Sequence, residues 1–312
     1  MRTLYSLCFI LLAYSSAWAQ SSGPSWRATI KVIDENHQPV AGATVAISYY
    51  VHPPPGQSEA SEKLEGVTDN YGMFTASHTN TGSIDLGFKA SKGGYYATSK
   101  AHEFAEFNDN DPAKWNPSET LVLKQIINPI PMYAKRLDKG PPVLNQAVGY
   151  DLMVGDWVAP YGRGKATDII FTKKAHRESG AGYEYKVTVG FPNAGDGIQE
   201  YIVPEAENRS DLRSPHEAPL AGYQNQLIKE RYAHPGQPPK SNYHENANYF
   251  LRVRTALDDQ GHVKSALYGK IYGEFTHIAY YLNPTPNDRN IEFDPKQNLL
   301  KGLKSFEQIK SP

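Results

Sequence analysis

Apolar and polar positions alternate with a period of two along much of this chain, the pattern of strands with one buried face. Ala28, Ile30 and Val32 alternate with Thr29, Lys31 and Ile33. Asp34 to Gln38 then breaks the run with turn-forming polar residues. Pro39 fixes φ, Gly42 permits a conformation other residues avoid, and Val45, Ile47 and Tyr49 resume the alternation. After the loop Pro53-Pro54-Pro55-Gly56, the Asp69-Asn70-Tyr71-Gly72 turn leads into a strand from Met73 to Ser77. Ile84, Leu86, Phe88 and Ala90 form a further alternating face. Lys92 to Tyr96 is a turn entering an aromatic strand, and Glu119 to Lys124 closes the series.

These motifs in this order resemble the carboxypeptidase regulatory-like domain. The matching positions are Pro39-Val40, Gly42-Ala43, Val45, Thr68-Asp69, Gly72 and Phe74. Gln38 stands where the family often has Gly, and the Pro-rich loop at 53–63 is long for it. The resemblance covers residues 27–125 and implies a prealbumin-like β-sandwich. Such domains serve as supports on exported proteins and bring no catalytic residues with them. The same strand, turn and Thr-Asp-x-x-Gly step also resembles the core of intradiol ring-cleaving dioxygenases. Those enzymes hold iron with two Tyr and two His spaced H-x-H, and no H-x-H occurs here.

Residues 126–146 carry Pro129, Pro131, Pro141 and Pro142 and read as a linker with one short strand from Pro131 to Leu137. From 147 to 302 the chain is strand-rich again. Ala166 to Lys173 and Tyr183 to Phe191 alternate well, and Asn193 to Gly197 predicts a hairpin between Phe191 and Ile198. Asn248 to Leu257 and His262 to Phe275 flank the turn Asp258-Asp259-Gln260-Gly261, and Ile278 to Leu282 is a further strand. Gln224 to Tyr232 suits a short helix or a strand, within loops from 204 to 247. The expected fold is all-β: a prealbumin-like β-sandwich followed by a second β-rich sandwich or partial barrel, with a tail at 303–312.

The N-terminus adds a location. Arg2 precedes the apolar run Leu4 to Tyr14, and Ala17-Trp18-Ala19 is a small-x-small cleavage site. Residues 1–19 therefore read as a signal peptide, and the apolar run falls short of the about 20 residues a membrane span needs. No integral membrane span is expected. Cys8, the one cysteine, lies inside the signal, so the mature chain has none to form disulfides or ligate zinc. Removing residues 1–19 takes away Arg2 and no acid, which moves the formal net charge from −1 to −2. That balance gives no broad basic field for nucleic acid. The implied place is the periplasm, the cell surface or the medium.

Candidate chemistry is sparse. His102-Glu103, His216-Glu217 and His244-Glu245 have Glu106, Leu220 and Asn248 at position +4, so none completes a zinc-protease helix motif. There is no Gly-x-Ser-x-Gly elbow and no phosphate-binding glycine loop. No catalytic residue is assigned. Asp288, Asn290, Glu292 and Asp294 fall on one face if 288–294 is extended, with Ile291 and Phe293 inward. Four such oxygens suit Ca²⁺, and the polar face of an edge strand accounts for the same pattern. Asn108 to Asp111 is a second acidic loop. Trp157, Tyr280 and Tyr281 are the candidate ligand-binding aromatics, since exposed Tyr and Trp stack on sugars or pack at interfaces. Adjacent strand residues face opposite ways, so only one of the tyrosine pair can serve a given surface.

The expected function is an exported, non-catalytic binding or structural protein, its partner an envelope glycan or protein. Two alternatives stand beside it. One is a secreted hydrolase of glycan or peptide using C-terminal carboxylates, and the other is a calcium-stabilised adhesin module.

Overall fold

The computed structural model describes residues 25–51, 60–79, 85–103, 116–177, 182–275 and 277–312. The signal segment with Cys8, most of the Pro-rich loop and the acidic loop at 108–111 lie outside these residues. The described chain is all-β, with two short 3₁₀ turns and no α-helix among the described residues.

Strands β1 (Ser25–Asp34), β2 (Thr44–Val51), β3 (Ala60–Val67), β4 (Met73–Thr79), β5 (Asp85–Ser91), β6 (Tyr95–Tyr96), β7 (Thr98–Glu103) and β8 (Ser118–Gln125) build the first sandwich. One sheet runs β4-β1-β8-β6 and the other β3-β2-β5-β7. Strands β1 and β8 are parallel, and the other pairs are antiparallel. The alternation seen in sequence is what fills this core: Trp26, Ala28, Ile30 and Val32 meet Val45, Ile47, Leu86, Phe88, Leu121 and Leu123.

The turn motifs have direct physical causes. Asp34 Oδ1 accepts from the backbone N–H of Asn36 and Gln38, both at 2.8 Å, and His37 takes φ 63° between them. Thr68 Oγ1 donates to Val40 O at 2.6 Å and accepts from Ala43 N at 2.9 Å, tying the Pro39–Gly42 turn to the next one. Asp69 Oδ1 accepts from Tyr71 N and Met73 N. Gly72 has φ 74°, and a Cβ there would sit 2.4 Å from Val32 O.

The second sandwich uses β9 (Tyr133–Leu137), β10 (Ala147–Asp151), β11 (Asp156–Trp157), β12 (Ile169–Arg177), β13 (Tyr183–Gly190), β14 (Gly197–Ile202), β15 (Gln226–Ala233), β16 (Lys240–Ser241), β17 (Ala247–Leu257), β18 (Val263–Tyr272) and β19 (Ile278–Leu282). A six-stranded sheet β11-β10-β12-β13-β15-β16 faces a five-stranded sheet β14-β17-β18-β19-β9. Their shared core includes Phe171, Val187, Val189, Leu251, Val253, Ile271 and Tyr280. The second face of the five-stranded sheet is also covered: Phe250, Tyr268, Tyr272 and Tyr281 pack under Ala218, Ile291, Phe293 and Ile309 from the loops and the C-terminal segment.

The hairpin expected at Asn193–Gly197 does not form. The turn exists, with Gly195 at φ 85°, but β13 pairs with β12 and β15 while β14 pairs with β17 in the facing sheet. Asp196 explains the handover. Its Oδ1 accepts from Thr255 N on β17 at 2.8 Å, and its Oδ2 accepts from Asn193 Nδ2 at 3.0 Å. A two-residue-type turn signal specifies a reversal of direction, and the partner of the outgoing strand is decided by the core.

Gly72→Ala adds a Cβ where both φ and space forbid it. It is expected to destabilise the protein by about 2 kcal/mol, read as a lower urea midpoint at unchanged slope.

Candidate functional site

Strand β10 ends at Asp151, a buried carboxylate that organises the loop after it. Asp151 Oδ1 accepts from Met153 N (3.0 Å) and Val154 N (3.1 Å), and Oδ2 accepts from Lys165 N (2.9 Å) and Ala166 N (3.0 Å). One side chain thus holds both ends of residues 152–166. Arg254 reaches across from β17 to Asp168 at 2.7 Å and Asp151 at 3.1 Å, from a bulge where its φ is 55°. Burial alone would raise the Asp151 pKa, but the backbone N–H groups and Arg254 hold it below its ordinary value. At Asp168 burial wins over Arg254, and its pKa is raised.

That loop carries Trp157 to the wall of a cleft of about 570 Å³, whose other walls come from 135–139 and 304–307. The Trp157 ring is half-buried and meets Tyr150 edge-on at 4.9 Å and Phe171 at 5.7 Å. Lys135 Nζ donates to Gly155 O at 2.7 Å and pairs with Glu307 at 3.0 Å, which joins the loop to the C-terminal segment. Phe306 is 53% exposed, with Lys304 Nζ 5.7 Å from its ring centre. Tyr150, also in the wall, is 1% exposed. Its hydroxyl lies beside that of Tyr280 without reaching hydrogen-bond geometry, and Tyr280 donates instead to Leu152 O at 3.0 Å. Burial pushes the Tyr150 pKa well up, so the group stays a hydroxyl donor at neutral pH.

Of the three aromatics expected to bind ligand, Trp157 alone reaches a cleft. Tyr280 and Tyr281 point to opposite faces of β19, as alternation requires, but both faces are covered. Tyr280 sits between the sheets. Tyr281 packs against Tyr272 and Phe293 and donates to Ser311 O at 3.3 Å. Neither ring offers a face to a ligand.

Residues 288–294 do not form an edge strand, and their four oxygen-bearing side chains serve the protein itself. Asp288 accepts from Asn290 N and Asn283 Nδ2, and Asn290 Oδ1 accepts from Glu292 N while its amide donates to Asn128 O. Asp294 caps the 3₁₀ turn Pro295–Gln297 by accepting from Lys296 N at 2.9 Å. Glu292 turns inward, 1% exposed, where an outward carboxylate was expected. These partners draw the four side chains in different directions. Among the described residues no group of three or more His, Cys, Asp or Glu side chains is placed to hold a metal ion.

Glu292 anchors the contact between the two sandwiches. Its Oε1 accepts from the Tyr96 hydroxyl at 2.7 Å and Ile127 N at 3.0 Å, and its Oε2 accepts from Asn128 N at 2.8 Å. His216 Nδ1 lies 3.2 Å from Glu292 Oε2, and His216 Nε2 lies 3.2 Å from Glu35 Oε2. Burial would raise the Glu292 pKa, but the bonds from His216, Tyr96 and the two amides bring it down to about 2. Burial would lower that of His216, and the two carboxylates raise it instead. Nearby, Lys270 Nζ donates to Ser214 Oγ at 3.2 Å between the rings of Tyr272 and Tyr281, each 4.9 Å away. Its burial, and then the charge of Lys124, pull its pKa well down against the pull of Glu292. A serine hydroxyl beside a lysine of lowered pKa has the composition of a nucleophile and base. Both side chains are buried, so the pair has no approach for a substrate carbonyl.

Asp151, Asp168 and Arg254 escape sequence reasoning as a set because Arg254 lies 103 and 86 residues from the two carboxylates it joins. The local signal was the Asx-type pattern at Asp151, with its acceptor reaching the amides two and three residues on. Two histidines of the first sandwich are engaged within the protein. His78 stacks with Trp26 and Tyr49, and His102 Nδ1 bonds to Glu119 at 2.9 Å.

No protein-family model matches this chain, and no curated protein matches it in sequence. Among solved structures, 3-chlorocatechol 1,2-dioxygenase from Rhodococcus opacus 1CP aligns with 35% of this chain and 62% of its own, at 13% identity and a TM-score of 0.26. Catechol 1,2-dioxygenase from Acinetobacter sp. ADP1 aligns with 35% of this chain and 55% of its own, at 12% identity and a TM-score of 0.26. The aligned part spans less than two thirds of these dioxygenases. The shaft pilin of Lactobacillus rhamnosus GG aligns with 86% of this chain and 95% of its own, at 10% identity and a TM-score of 0.24. At these scores none of them lends an activity or an assembly to this chain.

The junction sets a pH window. The Glu292 pKa falls from 4.5 to about 2 on folding, so its stabilisation is complete above 4.5 and lost as pH drops toward 2. The His216 pKa rises above 6.5, so its stabilisation is complete below 6.5 and lost as pH climbs through the folded value. Melting temperature is expected to owe most to this pair between pH 4.5 and 6.5. Glu292→Gln should remove about 2 kcal/mol at pH 6 and flatten the acid side of the profile, and His216→Gln should flatten the alkaline side. By contrast, Lys270→Met is expected to be neutral or stabilising by up to about 2 kcal/mol, measured by urea unfolding at pH 7.

Proposed function

We propose that this is an exported, non-catalytic binding or structural protein of the periplasm or cell surface. In this reading residues 1–19 direct export and 27–125 form a carboxypeptidase regulatory-like support. Residues 147–302 present the ligand-facing surface. The observation that carries the reading is a contrast between two environments. The groups with reactive composition, Ser214 with Lys270 and Glu292 with His216, are enclosed and engaged at the junction between the sandwiches. The cleft at Trp157 instead offers side chains still able to take a ligand: a half-buried indole, the exposed Phe306 ring and the Lys304 ammonium. Aromatic surface with a few convergent polar groups is the usual make-up of a binding site.

A glycan hydrolase would place two carboxylates about 5 to 9 Å apart and free to act on the substrate. Two of the acids lining this cleft are engaged. Glu307 pairs with Lys135, and Asp156 accepts from Trp157 N at 2.9 Å and Arg163 N at 3.0 Å.

Export is tested by fractionating cells that express the full chain and sequencing the N-terminus of the recovered protein. A mature chain beginning at Gln20 outside the cytoplasm is expected, and a full-length cytoplasmic chain would overturn the reading. Binding is tested by melting residues 20–312 against isolated envelope glycans and proteins, where a ligand of the folded state raises the melting temperature.

A further inference from the structure

We propose that the cleft beside Trp157 binds an acidic saccharide, a sugar ring carrying a carboxylate. This rests on the binding reading above and gives it a ligand class.

Trp157 and Phe306 supply ring surface at the wall of the cleft, and flat apolar faces suit the C–H faces of a pyranose. The polar groups around them are donors. Lys139 and Lys304 line the same cleft, and among the described residues neither makes an ion pair with a carboxylate.

The acceptors of the cleft, in contrast, are mostly taken. Glu307 holds Lys135 and also receives Lys304 N at 2.9 Å, and Asp156 is bound by its own loop. Asp138 is the one lining carboxylate with no such partner. The unpaired cations exceed it, so the local field favours an anion. A neutral sugar would use the rings and leave the cations unanswered. A ligand with ring, hydroxyls and carboxylate answers all of them, and charge-assisted bonds to the carboxylate are about twice as strong as neutral ones.

The frame of the cleft is rigid enough to hold this arrangement. Asp151 clamps the loop bearing Trp157, and Lys135 bridges that loop to the segment bearing Phe306. Lys304 binds the Glu307 clamp through its backbone N–H, which an alanine keeps, and Phe306 is exposed, so both side chains can be replaced with the frame in place.

The test titrates residues 20–312 with trigalacturonate and with its fully methyl-esterified form, read by melting temperature and by tryptophan fluorescence. The acid is expected to raise the melting temperature and perturb the fluorescence, and the ester to bind at least tenfold more weakly. A Lys304→Ala/Phe306→Ala double variant should melt as the parent does and lose the response to the acid at least tenfold. Equal binding of acid and ester would overturn the acidic class while leaving a glycan-binding protein standing. Binding that survives the double variant would overturn the cleft as the site. No response to the acid at millimolar concentration would overturn the proposal, while a shift with another envelope component would keep the broader binding reading.

Discussion

A carboxylate taken out of water between two β-sandwiches must be protonated or compensated, and Glu292 is compensated from both sides. The Tyr96 hydroxyl arrives from the first sandwich, and the Ile127 and Asn128 amides come from the segment that joins the two. His216 comes from a loop of the second and reaches on to Glu35 at the edge of the first. No single one of these bonds is strong in net terms, because each replaces a bond to water. Their joint effect is geometric. Four donors meet two oxygens only when both sandwiches and the connecting segment stand in one arrangement, so the price of misdocking is an unsatisfied buried charge. The connection between the sandwiches is therefore specified, where an interface of apolar surface alone would tolerate sliding.

The five-stranded sheet is what makes such a junction available. An antiparallel sheet commonly leaves one face to water. Here the inner face packs on the six-stranded sheet, and the outer face is roofed by 204–225 and 284–312, with Phe293, Ile291 and Ile309 as its apolar contacts. Lys270 points into the roofed side and meets Ser214 and two tyrosine rings. A lysine in that position is costly, and the neighbouring aromatic faces and hydroxyls are the kind of surroundings that make the cost bearable.

These features explain what could and could not be read from sequence. The first sandwich was legible because its turns are local: Asp34, Thr68, Asp69 and Gly72 act within a few residues or through a single partner turn, and its strands expose one face. In the second, β17, β18 and β19 are covered on both faces, so alternation carries no information about which side is core. That is why Tyr280 and Tyr281 read as candidate surface aromatics and proved to be interior. The Asp288–Asp294 stretch misled for a related reason. Its acids and amides alternate as an exposed face would, yet they are spent on local turns and on the junction, and their partners Asn128, Tyr96 and His216 are 76 to 196 residues away. Trp157 was legible as an aromatic, but not as the wall of a cleft, because the residues that complete that wall come from 135–139 and 304–307.

The same separation of roles bears on how a cleft is kept open on such a molecule. Chain segments that roof a sheet tend to fill every concavity they cross, since each apolar contact is favourable. Near Trp157 the roof is held off by polar constraints. Asp151 fixes the 152–166 loop from within, and Lys135 spends its three donors between Gly155 O and Glu307, pinning the C-terminal segment at a set distance from that loop. A space held open by such clamps forgoes the apolar contacts that a collapse would make, which costs stability in the empty protein.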